Sequence, residues 1–166
     1  MRQFAKRGYD NVSVAEICAD VGVSARSFFR YFPIKDAVVY HDVEIYRDTF
    51  TSVASHPKPG ESGLATVKRA SLAVAAEVEA RIEDLRPRLA LIRSQPALLS
   101  KWAELDTFWH AGIVALLKKD KVADPDIIAG AMVGAINAAL SGYVASPRPL
   151  DLRRRVDRVF QVVRGV

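Results

Sequence analysis

Residues 12–32, with the sequence VSVAEICADVGVSARSFFRYF, decide the fold, because they read as two short helices joined by a tight turn. Ser13 and Glu16 form the pattern of a capping box at the start of the first helix. Gly22 can take the left-handed conformation that ends a helix, and Ser24 can cap the next helix. Four apolar residues at helical spacing are predicted to form the inner face of the first helix: Val14, Ile17, Cys18 and Val21.

The second helix separates an apolar face from a polar one. Its spacing predicts that Ala25, Phe28 and Phe32 are buried, and Pro33 then ends the helix. Four side chains are left outside: Arg26, Ser27, Arg30 and Tyr31. A short helix with hydrogen-bond donors outside and a second helix packed behind it suits the major groove of DNA. The alternative is a helical hairpin with a solvated face, since this geometry also occurs in proteins that bind no DNA.

The wider stretch 8–39, GYDNVSVAEICADVGVSARSFFRYFPIKDAVV, resembles the DNA-binding domain of the TetR family of bacterial transcriptional regulators. The resemblance runs without a gap over residues 4–40, and the run SFFRYF resembles an actinobacterial subgroup. No segment reads as a strand, so we expect an all-α fold of about nine helices. Residues 1–40 would form the helix-turn-helix domain, and residues 41–166 a helical ligand-binding and dimerisation domain.

The resemblance implies a homodimer that presents two recognition helices to successive major grooves of double-stranded DNA. Arg26 is the main candidate for reading a base, because arginine can bind guanine O6 and N7 together. Ala25 and Ser27 would lie near the groove, whereas Phe29 stands where relatives often have a tyrosine that contacts phosphate. The candidates for phosphate contacts are Ser13, Ser24, Arg30, Tyr31 and Lys35. For Lys35 a solvated position is the alternative, and for Arg30 a pairing with an acid.

The composition limits the class of protein. Half of the 166 residues are hydrophobic, which allows a sizeable core. Cys18 is the single cysteine, so no disulfide forms within the chain, which fits a reducing cytoplasm. The net charge is +5, but it is not concentrated in the first domain, since residues 1–36 carry +2 and residues 148–166 carry +4. Residues 1–7 are too poor in apolar residues for a signal peptide.

The spacing also predicts how the middle of the chain is divided. Residues 34–53 read as one long amphipathic helix. Pro87 and Pro96 are predicted to bracket a short element, and Asp124 to cap a helix that begins at the next proline. Pro147 is predicted to break the chain before the last helix.

Residues 97–119 read as a helix whose inner stripe contains both tryptophans. The resemblance implies that this helix forms the wall of a pocket for a small hydrophobic effector, and plain core packing is the alternative. The candidate ligand contacts are Trp102, Leu105, Asp106 and Trp109. Asp106 and His110 lie one helical turn apart and could pair, but nothing else converges on them, so no metal site is predicted.

Residues 127–146 contain no charged side chain, a length that would suffice for a membrane span. Their many alanines and glycines instead favour a helix buried on most sides, with a smooth stripe that recurs every four residues: Gly130, Gly134, Ala138 and Gly142. The resemblance implies that the last two helices of each subunit form a four-helix dimer interface. Its candidate residues are Ile128, Met132, Ile136, Leu140, Val156, Val159, Phe160 and Val163. The arginines of 153–158 form a solvated or ion-paired face, or alternatively bind nucleic acid.

These features together predict a cytoplasmic, ligand-responsive transcriptional regulator, a repressor that a small hydrophobic effector releases from a palindromic operator. The alternative is a small-molecule-binding helical dimer that has lost DNA binding, because the first helix has under two turns and the charge of the first domain is weak. No nucleophile–base constellation and no phosphate-binding glycine loop is visible. We therefore predict no enzyme, no catalytic residue, no cofactor and no membrane partner.

Overall fold

The computed structural model describes residues 1–146 and 151–164, and every regular element within those ranges is a helix. Pro147 lies outside the described residues. The nine α-helices of these ranges are α1 Arg2–Arg7, α2 Val14–Val21, α3 Ala25–Tyr31, α4 Val43–Ser55, α5 Gly63–Ala80, α6 Ile82–Ser94, α7 Pro96–Lys119, α8 Pro125–Ala145 and α9 Leu152–Arg164. A 3-10 helix, Lys35–Val38, follows α3. The predicted all-α fold is confirmed.

The chain forms two compact units, and each is discontinuous in sequence. The first unit consists of Met1–Val43 and Glu83–Trp102. The second consists of Glu44–Ile82 and the described residues from 103 onward. The predicted domain boundary at residue 40 stays a prediction, and the first unit contains most of α6, which that boundary assigns to the other domain.

The two short helices of the first unit begin and end as their caps predict. The Ser13 hydroxyl accepts the Glu16 N–H at 3.2 Å, and the Glu16 carboxylate accepts the Ser13 N–H at 2.8 Å. Gly22 ends α2 with φ +71°, and the Ser24 hydroxyl caps α3 by accepting the Ser27 N–H at 3.1 Å. The predicted capping box, the end of α2 at Gly22 and the Ser24 cap are all confirmed, because such signals depend on residues within one turn of each other.

Two of the residues predicted to be buried in these helices are exposed. Val21 and Ala25 flank the turn between α2 and α3, where the three turn residues are themselves exposed and do not cover them. Phe32 is half-buried, whereas Phe28 is buried and sets the inner face of α3. The inner face of the helix pair is therefore narrower than the apolar spacing predicts.

Two predictions about the middle of the chain are wrong, and a third is confirmed only in part. The predicted helix 34–53 is interrupted between the 3-10 helix and α4, because the chain turns there to bury Val39 and Asp42. Pro87 lies inside α6 instead of bracketing an element, because α6 begins five residues before it. Helix α8 begins at Pro125 with Asp124 as its N-cap residue, as predicted, but Asp124 has φ +48° and its side chain makes no capping hydrogen bond.

The core of the second unit lies where α9 packs against both α5 and α8. The buried side chains that fill it include Val67, Val78, Met132, Val156 and Phe160. At the start of α5, a Cβ atom on Gly63 would come within 2.1 Å of the Leu116 carbonyl oxygen. Only glycine permits this close approach between α5 and α7.

The prediction that the α8 segment is buried on most sides is wrong for the single chain. One side is buried, whereas on the other Ile127 is 73% exposed and a Cβ at Gly130 or Gly134 would meet no atom within 4 Å. Of the predicted stripe of small residues, Gly130, Gly134 and Ala138 lie on this open side. The fourth, Gly142, packs against the Arg155 guanidinium. By length and composition α8 could also cross a membrane, a test that core helices of soluble proteins pass as well.

Candidate nucleic-acid interface

Helix α3 presents one continuous outward face. Phe28 points into the first unit and is 5% exposed, and the opposite side is formed by four exposed side chains: Ala25, Arg26, Phe29 and Arg30. Among the described residues, Arg26 has no hydrogen bond or ion pair, so its guanidinium is available to an external acceptor. The predicted outward position of Arg26 is confirmed.

The other polar residues of α3 contact one another. The Ser24 and Ser27 hydroxyls lie 3.0 Å apart, and the Arg30 guanidinium donates to the Tyr31 hydroxyl at 2.9 Å. The same guanidinium lies 4.7 Å from the centre of the Tyr31 ring. Arg30 is therefore paired with an aromatic neighbour and not with an acid, and both side chains remain exposed.

Lys35 holds the first unit together instead of extending into solvent. Its ammonium donates to the carbonyl oxygens of Tyr9 at 3.0 Å and Val12 at 3.2 Å, and it lies 4.0 Å from the centre of the Tyr9 ring. The Tyr9 hydroxyl in turn hydrogen-bonds the Asp36 carboxylate. Burial, followed by this bond to Asp36, raises the pKa of the Tyr9 phenol well above its ordinary value. The phosphate contact of Lys35 stays a prediction, and this ammonium has one N–H left for it.

A salt bridge that sequence reasoning missed supports α2. The Arg7 guanidinium lies 2.6 Å from the Glu16 carboxylate and also donates to the Asn11 carbonyl at 2.9 Å. The Ser13 N–H, followed by Arg7, lowers the pKa of the Glu16 carboxyl to about 2. The capping acid of α2 is therefore ionised throughout the neutral range and is tied to the end of α1.

A buried ion pair of the first unit was also missed. Arg88 of α6 and Asp42 lie 2.6 Å apart, with side chains 3% and 4% exposed. Arg88 also donates to the Asp84 carbonyl at 3.1 Å and lies 2.8 Å from His41 Nδ1. The pattern that could have revealed Arg88 is a charged residue on the apolar stripe of Leu85, Leu89 and Ile92, three buried neighbours in α6.

A cleft of about 400 Å³ opens beside this ion pair within the first unit. Its lining residues are Met1, Phe32, Val38, His41, Asp84, Pro87 and Arg88. The lining combines apolar side chains with the polar side chains of His41, Asp84 and Arg88. No group of three or more His, Cys, Asp or Glu side chains that could hold a metal ion occurs in the described part of the chain.

The candidate ligand contacts lie on α7 and are all half-buried. Leu105, Asp106 and Trp109 belong to the second unit, and Trp102 is the last residue of the first. The Asp106 carboxylate accepts a hydrogen bond from the Asn137 amide at 2.9 Å, whereas His110 hydrogen-bonds the Asp126 carbonyl at 3.0 Å. The suggested Asp106–His110 pair is therefore not formed, because each side chain has a partner in α8. The Trp109 ring contacts the rings of Phe50 and Phe108.

Three of the candidate dimer residues are core residues of the single chain. Met132, Val156 and Phe160 are fully buried, so they contact their own chain and not a partner. The other five candidates are half-buried: Ile128, Ile136, Leu140, Val159 and Val163. The arginines of α9 are divided: Arg153 pairs with Glu79 at 2.8 Å, and Arg155 donates to the Ala139 carbonyl at 3.1 Å. Their neighbours Arg154 and Arg158 are exposed.

Comparison with known proteins finds two family models along the chain. Residues 1–40 match the model described as bacterial regulatory proteins, tetR family, and residues 61–166 match the model described as the MftR C-terminal domain. A stretch of 63 residues is 35% identical to the uncharacterized HTH-type transcriptional regulator YuxN of Bacillus subtilis. That stretch is 37% of this chain and spans 22% of the length of the curated relative.

A solved structure shares the fold. It is a crystal structure from Mesorhizobium loti, assigned to the TetR family of transcriptional regulators, with a TM-score of 0.61 and 16% sequence identity. The similarity covers 98% of this chain and 89% of that one. The predicted actinobacterial subgroup stays a prediction.

Proposed function

This chain belongs to the TetR family of bacterial regulatory proteins, and we propose that it is a transcriptional repressor that a small hydrophobic effector releases from a palindromic operator. The observation that carries the proposal is the outward face of α3. Its Arg26 guanidinium has no partner among the described residues, and a planar donor of this kind can bind guanine O6 and N7 together. The protein acts in the cytoplasm by binding and not by catalysis.

The open side of α8 supports a homodimer. This side carries small and apolar side chains without a charge, and a soluble chain seldom leaves such a surface uncovered. A second copy of the same helix would cover it about a twofold axis. Two α3 helices would then meet successive major grooves about 34–36 Å apart, which requires a palindromic or nearly palindromic site.

The effector can release the protein from its operator only if it binds a DNA-free arrangement of the dimer better than the DNA-binding arrangement. The half-buried residues of α7 suit a hydrophobic molecule, because aromatic and aliphatic groups predominate around the single carboxylate of Asp106. Since Asp106 is hydrogen-bonded to Asn137, an effector that competes for this carboxylate would alter the contact between α7 and α8. That contact is the element through which we propose that the effector acts.

Selection of bound duplexes from a random library, followed by a salt series on the best duplex, tests this function. We expect a palindrome whose binding constant falls steeply with salt, with a logarithmic slope of about −0.9 for each phosphate neutralised. The isolated half-site should bind far more weakly than the whole palindrome. If no duplex is enriched, the regulator is excluded, and the ligand-binding dimer without DNA binding becomes the function to pursue.

A further inference from the structure

Phe29 is an exposed aromatic residue on the outward face of α3. Its side chain is 51% exposed, although the residue directly before it is a core residue of the first unit. The Phe28 and Phe29 ring centres lie 5.4 Å apart with an interplanar angle of 85°. This edge-to-face contact anchors the Phe29 ring on the buried Phe28 ring and restricts its position.

Phe29 adjoins the first two residues of α3, and the N-terminal residues of a recognition helix are the ones that contact base edges. Ala25 lies one turn before Phe29, and Arg26 lies three residues before it. Positions three and four apart are adjacent on a helix surface. Ala25 and Phe29 therefore form an apolar spot beside the free guanidinium of Arg26.

A phenyl ring has no donor or acceptor for the polar edges of the bases. In the major groove, the feature of a base pair that favours an apolar contact is the C5-methyl group of thymine. The other exposed aromatic residue of α3, Tyr31, differs because it is paired with Arg30 through its hydroxyl and its ring. Of the two exposed aromatic rings of α3, that of Phe29 is therefore the one available for a methyl contact.

We propose that Phe29, together with Ala25, reads the C5-methyl group of a thymine next to the base that Arg26 contacts. This inference rests on the proposed function, because it requires that α3 enter the major groove. It assigns Phe29 as a determinant of specificity at one A·T pair in each half-site. It also explains why an apolar ring stands exposed among polar side chains.

The test uses the palindrome selected by the unaltered protein. Each thymine is replaced in turn, symmetrically in both half-sites, by deoxyuridine, which lacks the C5-methyl group and keeps the pairing. At one thymine of each half-site we expect the replacement to weaken binding about 15-fold, which corresponds to about fourfold for one buried methyl group in each half-site. At the other thymines we expect less than a twofold change.

Two variants assign this effect to the ring. Phe29→Ala should bind the thymine and deoxyuridine duplexes equally, whereas Tyr31→Ala should keep the difference even if its affinity falls. Circular dichroism confirms that both variants are folded. The inference is overturned if no thymine shows the effect, or if Phe29→Ala keeps it. Failure of the unaltered protein to select any duplex is a different result, because it overturns the proposed function as well.

Discussion

The outward faces of α3 and α8 are both exposed in the single chain, but their chemistry is opposite. The face of α3 carries long side chains, among them Arg26, Phe29 and Arg30. The face of α8 carries glycine and alanine at every turn, and α8 has no charge between Asp126 and its end. Long donors reach into a groove that the backbone does not enter, whereas small side chains let two backbones approach closely.

The two helices also differ in what stabilises them. Helix α3 has seven residues, too few to be stable alone, so its position depends on its Ser24 cap and on the burial of Phe28 in the first unit. Helix α8 has 21 residues and packs along α9. A change elsewhere in the first unit should therefore disturb the face of α3, whereas the face of α8 should be sensitive to changes on the face itself.

The largest effect should come from a charge on the face of α8. Gly134→Glu places a carboxylate where a Cβ meets nothing in the single chain, so the fold should tolerate it. In a twofold dimer the change adds two buried charges, each costing roughly 3–5 kcal/mol when uncompensated. We expect sedimentation at micromolar concentration to show the mass of one chain, together with loss of palindrome binding.

Ala111→Glu, at an exposed position of α7, is the matched control and should remain a dimer. If Gly134→Glu also remains a dimer, the face of α8 is not the interface. The assignment of the α8 face to dimerisation, and with it the contrast to the α3 face, would then be wrong.

The second effect concerns the buried ion pair of the first unit, the unit that also contains α3. Asp42→Ala leaves the buried guanidinium of Arg88 without its carboxylate, which should lower the free energy of unfolding by about 3–5 kcal/mol. Urea unfolding measures this loss, and the double variant Asp42→Ala with Arg88→Met should recover most of it. A loss below about 1 kcal/mol, the value of an exposed pair, would show that the pair does not stabilise the first unit as a buried pair does.

A smaller effect is expected from the face of α3. Arg26→Ala should weaken binding to the selected palindrome by about 1–3 kcal/mol for each half-site and relax the preference at one base pair. Arg154→Ala removes an equal charge from the exposed side of α9 and is the control. Equal losses in both variants, with the base preference unchanged, would assign Arg26 to general electrostatics.

The smallest effect should be seen at the cap of α2. Glu16→Gln removes the charge that Arg7 and Ser13 stabilise while keeping an acceptor at the same place. Because the pKa of Glu16 in the folded chain is about 2, below its ordinary 4.5, the stabilisation is present above pH 4.5 and is lost as the pH falls toward 2. The melting temperatures of the two proteins should therefore converge over that range, and a constant difference down to pH 2 would contradict the assignment.

Sequence reasoning predicted what depends on neighbours within one or two turns. The caps at Ser13 and Ser24, the end of α2 at Gly22 and the outward position of Arg26 are of this kind. Sequence reasoning did not find the pair of Asp42 and Arg88, because the two residues are 46 positions apart and no local pattern connects them.

The dimer candidates show a different limit. Apolar spacing indicates which side of a helix is covered, but not whether the cover comes from the same chain or from another. Met132, Val156 and Phe160 are apolar residues of the last two helices, and their own chain buries them. The uncovered side of α8 was visible in the sequence as small residues, a pattern that alone does not tell a core from an interface.

The discontinuity of the first unit matters for attempts to change which operator a regulator of this family recognises. Because Glu83–Trp102 completes the unit that begins at Met1, grafting residues 1–43 onto the effector domain of a relative would separate Asp42 from Arg88. A functional chimera must exchange both segments together.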